Sequence, residues 1–132
     1  MRAIFGGRIA AIIFLISGLP VSAHHSGAAE FDVNKKVDLN GVVTKLEWTN
    51  PHAHFYMDVK DESGKVANWN LELASPNVLI RNGWRRNSIK PGDAVSVSGI
   101  RAKDNSTYAS ASVITFPDGH KLNFLYADEP AK

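Results

Sequence analysis

Of the five histidines in this chain, four fall in two close pairs, His24-His25 and His52-x-His54. Closely spaced imidazoles are nitrogen donors for a soft or borderline metal such as copper. The first pair gains a further donor if the chain is cut in front of it. Arg2 and Arg8 give a positive start, Ile9 to Leu19 an apolar stretch, and Val21-Ser22-Ala23 a small-residue cleavage position. Met1 to Ala23 therefore read as a secretory signal, too short and too early for a spanning helix. Cleavage after Ala23 would free an α-amino group on His24, so one amine and two rings would sit on adjacent residues.

The second pair lies on a predicted strand, His52 to Lys60. Ala53, Phe55, Met57 and Val59 share one face; His52, His54, Tyr56 and Asp58 share the other. A hairpin loop with Gly64 leads to Val66–Leu73, where Ala67, Trp69, Leu71 and Leu73 alternate with Asn68, Asn70 and Glu72. Both apolar sets must face the core, which restricts the pairing to steps of two residues. If Val59 opposes Ala67, His54 lies opposite Glu72; a slip of two residues puts His52 there. Either way one histidine meets a carboxylate across the strands, flanked by Tyr56 and Asn70. His52, His54 and Glu72 thus form a candidate metal set with room for a fourth donor. The bland alternative is a turn histidine beside an exposed cross-strand pair worth a fraction of a kcal/mol.

These residues need strands to hold them. Val37 to Trp48 reads as a long strand, with a change of apolar parity that points to a bulge at Gly41. Thr49-Asn50-Pro51 is a turn. Ser75 is the expected N-cap of a short helix, with Pro76 in its first turn and Gly83 at its stop. Pro91-Gly92-Asp93 turns into a strand at Ala94–Ala102, followed by Tyr108–Phe116 and a last strand near Lys121–Leu125. The expected class is all-β with one short helix, an OB-type barrel of five to six strands. An immunoglobulin-like sandwich is the runner-up. The expected organisation is a signal at 1–23, a polar arm at 24–36, the barrel domain at 37–127 and a loose tail at 128–132.

Composition bounds the function. Removing 23 of 132 residues leaves 132 − 23 = 109, the size of one domain. Arg2 and Arg8 leave with the signal, so the remaining 15 − 2 = 13 basic residues balance 13 acidic ones. That balance argues against nucleic-acid binding, which needs clustered cations. The absence of Cys excludes disulfides, thiolate metal sites and thiol catalysis. The serines lack a Gly-x-Ser-x-Gly setting, and no Gly-rich phosphate loop is present. His120, after a hairpin glycine, is expected in solvent. Trp48, Trp69 and Trp84 could form an aromatic platform, although the parity of Trp69 favours the core. Arg81, Arg85 and Arg86 cluster around Trp84 as an anion site or a solvated surface.

Several short runs are shared with a known group. They are His24-His25-Ser26 with Glu30-Phe31-Asp32, Glu47-Trp48-Thr49-Asn50-Pro51-His52, Ser75-Pro76-Asn77 with Gly83-Trp84, Pro91-Gly92-Asp93, and Arg101-Ala102-Lys103-Asp104. In these the chain resembles a family of small exported bacterial proteins known as a domain of unknown function. The resemblance implies export and an OB-like barrel and supplies no activity. Members often carry an aromatic residue at the position of His54, which moves weight to His24, His25 and His52. The N-terminal histidine separately resembles the amine-plus-imidazole copper grip of exported copper proteins, an analogy at one residue.

Two functions follow as expectations. The first is a periplasmic or secreted metal carrier or buffer, with copper as the expected ion and His24, His25, His52, His54 and Glu72 as ligands. The second is a non-metal module that holds a small polar ligand, an envelope glycan or a protein partner through Tyr56, Asn70 and Trp48. Catalysis is the weakest reading: an open metal position could activate water, but Glu72 alone stands out as a base. No membrane insertion is expected after signal cleavage.

Overall fold

A computed structural model describes residues 27–124. His24, His25, the signal and the whole of the expected tail therefore lie outside the described residues. The element order is α1 (Gly27–Glu30), β1 (Phe31–Glu47), β2 (His54–Lys60), β3 (Val66–Glu72), α2 (Pro76–Arg81), β4 (Ala94–Ala102), β5 (Tyr108–Thr115) and β6 (Lys121–Asn123). The chain is mostly β with one short helix, α2, beside the single turn of α1. No described helix is long and apolar enough to cross a membrane.

The expected OB-type barrel is corrected. The strands form one six-stranded sheet, ordered β3-β2-β1-β4-β5-β6, which does not close into a continuous barrel. The sheet curls, and β3 meets β5 in parallel over Asn70↔Tyr108, Leu71↔Ala109 and Glu72↔Ser110. Farther along β5 the partner is β6 instead, at Val113↔Asn123, Ile114↔Leu122 and Thr115↔Lys121. The contact of β3 with β5 is thus a three-pair seam, because β3 ends at Glu72 where the chain turns into α2.

The first strand differs from expectation at both features proposed for it. It begins at Phe31, inside the expected arm, and pairs there with Ala102 of β4. Between Phe31 and Lys36 the register shifts, so Asp32, Val33, Asn34 and Lys35 form a bulge at the surface, with Val33 exposed. The second irregularity lies between Val43 and Lys45, not at Gly41. Val42 is 46% exposed and Val43 is buried, so the parity change comes after Val43. Gly41 meets a different demand: a Cβ there would come 2.2 Å from the Asp58 carbonyl oxygen. The glycine permits close approach of β1 and β2.

The core lies on the inner face of the curled sheet. Phe55, Met57, Trp69, Leu71, Val97, Ala109 and Ile114 are buried there. Helix α2 begins as its sequence requires: Ser75 Oγ accepts from the Val78 N–H at 3.4 Å, and Pro76 occupies the first turn. Gly83 takes a positive φ of 88° after the helix. Trp84, with no exposed surface, then closes onto Phe124 at 4.5 Å between ring centroids.

Candidate functional site

Register sets the site. Val59 opposes Ala67, so His54 stands opposite Glu72 and Tyr56 opposite Asn70. The same pairing extends across both neighbours. Glu47 of β1 opposes His54 and Lys45 opposes Tyr56. On the far side Asn70 opposes Tyr108 and Glu72 opposes Ser110 of β5. Directly opposed residues share a sheet face. Two polar rows therefore run across four strands: Glu47–His54–Glu72–Ser110 and Lys45–Tyr56–Asn70–Tyr108. Their alternate neighbours Phe55, Leu71 and Ala109 are fully buried on the inner face.

Side chains do not follow the rows. His54 Nδ1 bonds to Asn70 Oδ1 at 2.9 Å, one diagonal step away. The carboxylate opposite His54 is held by His52, whose Nδ1 lies 2.9 Å from Glu72 Oε1. His52 precedes the assigned strand, but the ladder continues there through Ala53 N–H to the Ala74 carbonyl at 3.1 Å. Strand twist brings such diagonal neighbours within reach. The peptide before Pro51, at the head of this segment, is cis. The other oxygen of Glu72 accepts from the Tyr108 hydroxyl. Tyr108 also lies face to face with His54, 6.3 Å between centroids, and takes the edge of Phe31 at 5.0 Å.

A second carboxylate repeats the arrangement at the β1 side. Glu47 accepts from Lys45 and, at 3.1 Å, from the Tyr56 hydroxyl. These bonds, Lys45 first and Tyr56 second, hold the Glu47 carboxyl below its ordinary value. Burial raises the Tyr56 phenol, aided by its bond to Glu47. Burial raises the Tyr108 phenol much further, with the bond to Glu72 adding to it. Both phenols thus stay protonated and act as donors.

The bonds also fix what the face offers outward. Glu72 and the Asn70 oxygen are acceptors, so each Nδ1 carries the hydrogen. Among the described residues no hydrogen bond engages the Nε2 of either ring. The His52 side chain is 38% exposed and that of Glu72 14%, so the ring is open to solvent while its carboxylate is covered.

The expected metal set is corrected for the described residues. No group of three or more His, Cys, Asp or Glu side chains is arranged there to hold a metal ion. The reason is in the bonds: His54 turns to Asn70, and Glu72 is already shared by His52 and Tyr108. His24 and His25 lie outside the described residues and contribute no geometry to the copper reading. The tryptophan platform does not form either. Trp69 and Trp84 are buried, Arg101 covers the Trp69 ring at 5.0 Å, and Trp48 packs against the core margin, off the polar rows. His120 is exposed as expected, on Asp118 and the Phe116 ring.

Tyr108 is the member of the site that sequence reasoning missed. It enters through a parallel contact with a strand 36 residues away, which leaves no local signature. Lys45 and Glu47 were missed for a similar reason: the parity change hid which side of β1 they occupy.

Residues 13–111 match the model of a family of unknown function, DUF6152. The chain belongs to that family. Comparison with curated proteins and with solved structures returns no match.

Proposed function

We propose that this chain is a non-metal binding module that takes a polyhydroxylated ligand, such as an envelope glycan, across the outer face of β1, β2, β3 and β5. The observation that carries the reading is the pairing of both Nδ1 atoms inside the protein, His54 with Asn70 and His52 with Glu72. It leaves the Nε2 side of each ring for a ligand, beside the Asn70 amide and the Tyr56 ring. An imidazole nitrogen can exchange a bond with a hydroxyl group and the amide N–H groups donate to hydroxyl oxygens, while Lys45 stands 5.3 Å over one face of the Tyr56 ring and leaves the other for the apolar side of a sugar.

Among the described residues, clefts of about 230 and 200 Å³ lie away from the polar rows, and neither is lined by a residue of them. On this reading the ligand lies across the strands, an arrangement that favours an extended chain over a small enclosed molecule. The signal read at Met1–Ala23 supports work outside the cytoplasm, where such polymers are met.

The test is a panel of neutral and acidic oligosaccharides, including peptidoglycan fragments, with affinity measured by calorimetry. Binding is expected to one class, to weaken at least about tenfold in Asn70→Ala or Tyr56→Ala, the loss of roughly one or two bonds, and to survive a chelator. Retained affinity in both variants, silence across the panel, or chelator-sensitive binding overturns the reading.

A further inference from the structure

The region from Leu73 to Gly92 has a different character from the polar face. Between Glu72 and Asp93 the sequence contains no acidic residue and four basic ones, Arg81, Arg85, Arg86 and Lys90. Lys90 is answered by Asp93 at 3.8 Å. The three arginines are exposed, and among the described residues no carboxylate pairs with them.

These arginines sit on a pinned lobe. Leu79, Trp84 and Ile89 are buried to 0%, 0% and 1% exposure, one anchor every fifth residue. The Trp84 N–H donates to the Leu79 carbonyl at 2.9 Å. The Arg85 N–H donates to Ser88 Oγ at 2.8 Å, and the Ser88 N–H returns to the Arg85 carbonyl at 2.9 Å. Ile80 and Arg81 therefore project between the first two anchors, and Arg85 and Arg86 between the second two. Ile80 is 47% exposed.

We infer that this lobe is a docking surface for anionic lipid headgroups. Each arginine offers a planar fork of donors to phosphate oxygens, and the buried anchors and turn bonds hold the backbone that carries them, which lowers the entropy cost of presenting them. The exposed Ile80 beside Arg81 supplies an apolar contact at the headgroup boundary, which an acidic polypeptide would not require. Attachment is weak and reversible, steepest at low salt. The inference is independent of the ligand face.

The experiment uses the chain recovered from cells expressing the full sequence, sedimented with vesicles of phosphatidylcholine alone or mixed with phosphatidylglycerol. Partition is expected to rise at least about tenfold on the anionic vesicles and to fall as salt screens it. The triple variant Arg81→Glu, Arg85→Glu, Arg86→Glu should lose the increment while keeping its far-ultraviolet spectrum and urea midpoint. Ile80→Ser should lower anionic partition severalfold, and Asn70→Ala should leave it unchanged. Equal partition on both vesicles, full binding by the triple variant, or no effect of Ile80→Ser overturns the assignment. Capture by soluble polyglutamate with none on anionic vesicles overturns it too.

Discussion

The polar face and the arginine lobe handle charge in opposite ways. On the face, both carboxylates are used up internally: Glu72 by His52 and Tyr108, Glu47 by Lys45 and Tyr56. In the lobe, three cations stand without carboxylates among the described residues, Arg81 at the end of α2 and Arg85 and Arg86 on the loop after it, between buried apolar anchors. The difference teaches where stability and recognition are coupled. Side chains on the face hold one another, so altering one should disturb the fold together with the proposed ligand contacts. The lobe arginines hold no carboxylate among the described residues, and Arg85 alone reaches a backbone carbonyl, so altering them should change the proposed recognition far more than the fold.

The largest effect should come from the anchor of the lobe. Trp84 is fully buried against Phe124. Trp84→Ala is expected to cost about 3–5 kcal/mol, the usual range for truncating a buried aromatic. The urea midpoint measures it. A loss below about 1 kcal/mol would mean that the lobe is not pinned by this ring, and the contrast with the face would weaken.

Next comes the carboxylate at the centre of the face. Glu72→Ala strips the acceptor from His52 and Tyr108 at once. About 1–3 kcal/mol is expected, since a half-covered phenol is left without its partner. Glu72→Gln should restore part of it. If both variants match the wild type in urea unfolding, the face is a set of independent solvated groups, and its coupling to the fold is absent.

Much of this arrangement was legible in the alternation of β2 and β3. Phe55, Met57, Trp69 and Leu71 could only point inward together, which left His54, Tyr56, Asn70 and Glu72 outward on neighbouring strands. Two registers satisfied that rule, and packing chose the one with Val59 opposite Ala67. The partner of the carboxylate was not legible, because twist sends His52 diagonally to Glu72 and His54 to Asn70. Nor was the seam with β5: a parallel contact between distant segments depends on the curl of the whole sheet. The bulge was misplaced because Val42 and Val43 are equally apolar, and sequence cannot say which of two adjacent valines faces water. The start of β1 was hidden by the bulge between Phe31 and Lys36.

A finer test of the face uses pH. The Tyr108 phenol is raised above its ordinary value of 10.0, first by burial and then by its bond to Glu72. A group whose folded value is raised contributes stability that is complete below the unfolded value and is lost as pH rises beyond it. The unfolded tyrosine ionises first, so the folded state loses ground above about pH 10. Tyr108→Phe should be the less stable protein at neutral pH by about 1 kcal/mol, the worth of one hydrogen bond. The gap should then narrow between pH 9 and 11, scales on which the ordinary phenol titrates. Tyr56 titrates in both proteins and cancels in the difference. A gap that stays constant over that range would show that Tyr108 is not covered, and that the centre of the face is as open as its rim.

The smallest effect belongs to the lobe and is the sharpest test of the comparison. Arg85→Glu and Arg86→Glu reverse charges that are exposed and free of carboxylate partners among the described residues. Arg85 makes one contact of its own, from its guanidinium to the Trp84 carbonyl at 3.2 Å. Stability should therefore move within about 0.5 kcal/mol, slightly more for Arg85 than for Arg86. Matched urea curves of the two variants at low and high salt provide the measurement. A loss above about 1 kcal/mol that salt abolishes would reveal a long-range partner for these cations within the fold. The arginines would then be structural, like the groups on the face, and the lobe would have no charge to spare for a membrane.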